Sequence, residues 1–120
     1  MDIIFRNLKR LVNCGSGGEK EPIEPMSEWK WRRLLKLTHQ YGISPWVADG
    51  AKVYADDFFF QPSPSLRQQL LEAQGEKNQE ILDKFELLLY RTSRPFNRFS
   101  QKSLRAYAED FIHTIKNIEE

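Results

Sequence analysis

Two histidines, one cysteine and one tight group of aspartates are the residues of this sequence equipped to bind a metal or attack a substrate. His39 and His113 each stand alone, with no second ligand three or four residues away on the same helix face. Cys14 follows an apolar stretch inside a glycine-rich segment, whereas a catalytic thiol needs a rigid frame that lowers its pKa. Leu11-Val12-Asn13-Cys14 has the outline of a lipoprotein cleavage box, but Asp2 precedes the apolar residues and Arg6, Lys9 and Arg10 break into them. Asp56 and Asp57, with Asp49 nearby, form the tight carboxylate group. Adjacent positions on a helix diverge by about 100°, so Asp56 and Asp57 do not converge on one ion. Gly15-Ser16-Gly17-Gly18 lacks the Lys-Ser/Thr ending, preceding strand and following helix of a phosphate loop. The expectation is a chain with no catalytic residue, no metal site and no cofactor.

Two surface features carry recognition chemistry instead. Trp29 falls with Arg33 and Lys36 on the side of its helix opposite the leucines. It reads either as a partner anchor or as a ring packed under the N-terminal segment. The run from Leu87 to Ala108 contains no acid and interleaves Arg91, Arg94, Arg98, Lys102 and Arg105 with Tyr90, Phe96, Phe99 and Tyr107. Cations meet phosphates and aromatic faces stack on bases, so this run is a candidate nucleic-acid surface. The same mixture also suits a corner between helices, with aromatics inside and cations capping a helix end.

The elements that position these residues are helices. Ile4, Phe5, Leu8, Leu11 and Val12 mark a short amphipathic helix over 2–13. The glycines, prolines and acids of 14–26 predict a mobile linker, making 1–13 a tethered arm ahead of a bundle domain at 27–120. Such an arm docks in a partner's groove, lies on a membrane surface or folds back on its own bundle, and about twelve residues are ordered only when docked. Ser27 and Glu28 open a helix that carries Trp31, Leu34, Leu35, Leu37, Thr38 and Tyr41 to Gly42. Ser44-Pro45 opens the next, with Val47, Ala51, Tyr54 and Phe58 as its seam. A hairpin turning at Asp49-Gly50 competes with that helix, but its flanks are too short for strands. Leu66, Leu70 and Leu71 precede Gly75, and Ile81, Leu82, Phe85, Leu88 and Leu89 follow it, as one bent helix or as two. Leu104, Ala108, Phe111, Ile115 and Ile118 form a last seam suited to self-association as a homo-oligomer.

Composition bounds the whole. The 120 residues make one compact domain, and a net charge of +1 gives no overall drive toward nucleic acid or membrane. A hydrophobic fraction of 40% suits a packed core, and one cysteine suits a cytoplasmic protein without disulfides. No apolar run approaches the roughly 18 residues of a membrane span. The expected fold is all-α, a compact bundle of four to five helices with a tethered N-terminal amphipathic helix.

Residues 28–89 carry a pattern of Trp31, Leu34, Leu35 and Leu37, then Tyr41-Gly42-Ile43-Ser44-Pro45, Ala48-Asp49-Gly50, and a helix through Asn78, Ile81 and Leu82. This resembles the helical N-terminal region of a family of uncharacterised bacterial nucleotidyltransferase-like proteins. The resemblance implies an accessory helical scaffold that precedes a nucleotidyl-transfer domain. The catalytic Gly-Ser loop followed by a strand-borne Asp-x-Asp is missing, so no catalytic residue transfers to this chain. The expected function is a non-enzymatic protein-interaction module that docks through Ile4, Leu8, Leu11 and Trp29. The alternatives are a nucleic-acid module using Arg91, Arg94, Arg98, Lys102 and Arg105, and a catalytically empty accessory of a nucleotidyltransferase-like system.

Overall fold

The computed structural model describes residues 3–92, the side chains through Leu89. Five helices and no strand occur among them: α1 (Ile3–Gly15), α2 (Glu28–Gln40), α3 (Ser44–Tyr54), α4 (Pro64–Leu71) and α5 (Gln79–Thr92). The fold is all-α.

Local chemistry marks the starts of several helices. Ser27 Oγ accepts a 3.4 Å hydrogen bond from Lys30 N at the start of α2, and Glu28 adds a carboxylate to the first turn. Pro45 and Pro64 occupy the first turns of α3 and α4, where a missing N–H costs nothing. Gly42, at φ 66°, turns the chain from α2 into α3. At Asp49-Gly50 the helix wins over the hairpin, since both residues lie inside α3. The stretch around Gly75 resolves as two helices, with α4 ending at Leu71 and Asn78 Oδ1 accepting from Glu80 N at 3.0 Å to open α5.

The core is built from one face of every helix. Leu8 and Leu11 of α1, Trp31 and Leu34 of α2, Val47 and Tyr54 of α3, Leu70 of α4 and Phe85 of α5 are all buried in one cluster. The Tyr41 ring lies 6.4 Å from Phe5 and 5.9 Å from Phe85, joining α1 and α5 at the end of α2.

The N-terminal helix is part of this core. It packs chiefly on α3, where the backbones approach closely at two glycines. A Cβ at Gly50 would stand 2.0 Å from Leu11 O, and one at Gly15 would stand 1.8 Å from Trp46 O. No side chain fits either gap, so glycine is what lets the two helices cross in contact.

Of residues 14–26, expected as a mobile linker, the first two end α1 and 19–26 form a strap across this crossing. Ile23 is buried, and the fully buried Asn7 side chain grips the Glu24 backbone twice. Its Nδ2 donates to Glu24 O at 2.8 Å, and its Oδ1 accepts from Glu24 N at 3.0 Å. The Glu24 carboxylate accepts from Arg6 Nε and Arg10 Nη1, both at 2.7 Å. Further along, Tyr54 Oη donates to Glu21 O, and Lys20 Nζ sits 5.1 Å over the Tyr54 ring. Glycines and prolines suggest mobility, but buried partners for the strap's polar groups override that tendency.

Candidate protein-interaction surface

Of the four residues expected to capture a partner, three are withdrawn into the protein's own interior. Leu8 and Leu11 are 0% exposed and Ile4 is buried beside them. The expectation that they enter a partner's groove is corrected: α3 and the strap already cover that face. Trp29 is different. It is 68% exposed, on the outer side of α2, and it is not packed under the N-terminal segment.

The outer side of α2 follows from its sequence. At 100° per residue, Trp29, Arg32, Arg33, Lys36 and Gln40 fall within one sector, opposite the leucine face that α2 buries. All five are exposed. Glu28, the sole acid of α2, is engaged at the helix start: its Oε2 accepts from Ser63 N at 3.0 Å, and its Oε1 lies 3.7 Å from Arg32 Nε. Hydrogen bonds from Ser63 hold the Glu28 pKa below the usual carboxylate value, so it stays charged there.

A second exposed aromatic group was missed in the sequence. Phe58 is 76% and Phe59 45% exposed, with their rings edge to face at 5.2 Å. The helical seam expected to run through Phe58 stops at Tyr54 instead. Asp57 N bonds Tyr54 O at 2.8 Å, Asp57 Oδ1 accepts from Phe59 N at 3.0 Å, and Phe60 N bonds Asp57 O at 3.1 Å. This Asx-type turn swings Phe60 inward onto Trp31, edge to face at 5.2 Å, and leaves its two neighbours outside. Asp-Asp before three phenylalanines is the signal for such a turn, and helical periodicity alone conceals it.

Among the described residues, those with metal or nucleophile chemistry are dispersed. Asp49 pairs with Lys77 at 2.7 Å and with Lys52 at 3.8 Å, and Asp57 pairs with Lys20 at 3.9 Å. No group of three His, Cys, Asp or Glu suited to a metal ion occurs among the described residues. Cys14 is partly buried against the core. Ser44, expected as a helix cap, makes no cap bond; its Oγ lies 3.3 Å from His39 Nδ1, at the edge of an open cleft of about 480 Å³ that Glu76 and Asn78 also line. Among the described residues no further hydrogen bond to the His39 ring is made.

The helix α5 includes Arg91, whereas Arg94, Arg98, Lys102, Arg105 and His113 lie outside the described residues, as does the C-terminal seam. No helix among the described residues is long and apolar enough to cross a membrane. Comparison of the chain with family models, with curated proteins and with solved structures finds no match in any of the three.

Proposed function

We propose that this chain is a non-enzymatic helical interaction module that docks a protein partner through Trp29. The observation that supports this reading is the contrast between that residue and the rest of the large apolar side chains of α1 and α2. Those are buried or partly buried against one another, while a tryptophan in the first turn of α2 stands 68% exposed. Tryptophan is a frequent anchor at interfaces because one rigid ring buries a large area at low entropic cost. The exposed Phe58-Phe59 pair lies next to Phe60, whose ring packs on Trp31 of α2.

Crosslinking through a photoreactive group at position 36, followed by identification of the captured protein and its purification, tests the reading. Trp29→Ala is expected to weaken binding of that purified partner by about 2 kcal/mol or more while leaving the thermal midpoint unchanged. Undiminished binding by Trp29→Ala would refute it.

A further inference from the structure

Several cations among the described residues are matched by acids and others are not. Arg6 and Arg10 are matched by Glu24, Lys20 by Asp57, and Lys52 and Lys77 by Asp49. Arg33 and Lys36, by contrast, have no ion-pair partner among the described residues, and Arg32 reaches only Glu28. These side chains flank Trp29 on the outward sector of α2, where no acid answers them. Trp29, Arg33 and Lys36 recur at one-turn spacing along about 10 Å of helix axis. A second helix laid along this ridge offers side chains at the same repeat.

We propose that the outward face of α2 receives an acidic amphipathic helix of the partner protein. An apolar residue of that helix rests on Trp29, and carboxylates one and two turns further on pair with Arg33 and Lys36. The proposal rests on the interaction-module reading above and adds the partner's chemistry. Charge complementarity selects the acid, and the planar guanidinium of Arg33 suits a two-point carboxylate contact. A single-stranded nucleic acid fits less well, because such strands follow grooves with several stacking platforms, and this is a convex ridge with one ring. An anionic membrane fits less well too, since α2 turns its apolar face inward and presents a single aromatic side chain for insertion.

The protein contains three tryptophans, and Trp31 and Trp46 are buried, so acrylamide quenching of the intact protein reports chiefly on Trp29. Four probes separate the candidates: an amphipathic Glu-Leu helical peptide, its Lys-Leu counterpart, an oligothymidylate, and phosphatidylserine-containing vesicles. The Glu-Leu peptide is expected to shield Trp29, and the double variant Arg33→Glu, Lys36→Glu to lose that peptide by about tenfold or more and to gain the Lys-Leu peptide. Circular dichroism of the double variant confirms that it is folded; both positions are exposed. Equal shielding by both peptides, shielding by none of the probes, or stronger shielding by the oligonucleotide or the vesicles overturns the proposal. Loss of the crosslinked partner in Trp29→Ala together with failure of the Glu-Leu peptide would sink the acidic chemistry and leave the interaction module standing. Unchanged partner binding in Trp29→Ala would sink both.

Discussion

Glu24 shows how a single side chain turns a glycine- and proline-rich segment into structure. Hydrogen bonds from Arg6 and then Arg10 lower its pKa from 4.5 to about 2, against an opposing effect of burial. The folded carboxyl is therefore more acidic than the unfolded one. Its contribution to stability is complete above about pH 4.5 and is lost as pH falls toward 2. The thermal midpoint of the native protein is expected to decline across that interval, and Glu24→Gln to remove part of the decline while lowering the midpoint at neutral pH. Circular dichroism melts between pH 2 and 7, compared for the two proteins, measure the difference; superimposable slopes would show that Glu24 is not titrating in this way. Asn7 completes the grip, since its amide meets both the N–H and the carbonyl of residue 24. In the sequence it stands among Ile4, Leu8 and Leu11 on the apolar side of α1, and that one polar residue in an apolar face was a legible sign of a buried partner. Which backbone it would meet, seventeen residues on, was not.

Among the elements, the crossing of α1 over α3 decides the architecture. Gly50 costs helix propensity by about 1 kcal/mol relative to alanine, yet it sits in the middle of α3. The contact geometry explains the choice, because a Cβ there would stand 2.0 Å from the Leu11 carbonyl oxygen. Gly50→Ala is expected to destabilise the fold by about 1–3 kcal/mol, the steric cost exceeding the propensity gain. Urea denaturation measures this, and a stabilised variant would mean that the helices part without cost. A glycine on an exposed helix gives the opposite sign, so the experiment distinguishes close approach from mere tolerance. The break between α4 and α5 is a related case. Gly75 with its polar neighbours marked a weak point, and the Asn78 cap together with the Lys77–Asp49 ion pair at 2.7 Å turned it into a true connection between two helices.

At the scale of the whole molecule, the N-terminal quarter acts as one wall of the core. Leu8, Leu11 and Ile23 share a cluster with Trp31, Val47 and Tyr54. A chain beginning at residue 27 would leave those side chains facing water, a loss of several buried aliphatic groups at about 1.5–3 kcal/mol each against a total stability of about 5–15 kcal/mol. Such a truncation is expected to lose its cooperative thermal transition and to bind a hydrophobic dye; a sharp melt like that of the full chain would show that 27–92 needs no such wall. With α1 and the strap packed into the interior, the large apolar side chains that stay exposed among the described residues are Trp29, Val53, Phe58, Phe59 and Leu87.

The local pattern of the chain by itself determined that the protein is helical, where α2 and α3 begin, and which side of each helix is apolar. Those properties depend on residues within one or two turns, which the periodicity of leucines, the Ser27 cap of α2 and the first-turn proline of α3 report directly. Only the tertiary structure decided what covers each apolar side. Burial of Ile4, Leu8 and Leu11 inside the chain depends on a glycine gap in α3 and an asparagine grip on a strap, contacts between residues far apart in sequence. The exposure of Trp29 was decided in the same way: nothing near it in the chain says that α1 will be held elsewhere. Local repeats encode a helix's faces, whereas the partner of each face is a property of shapes that meet only after folding.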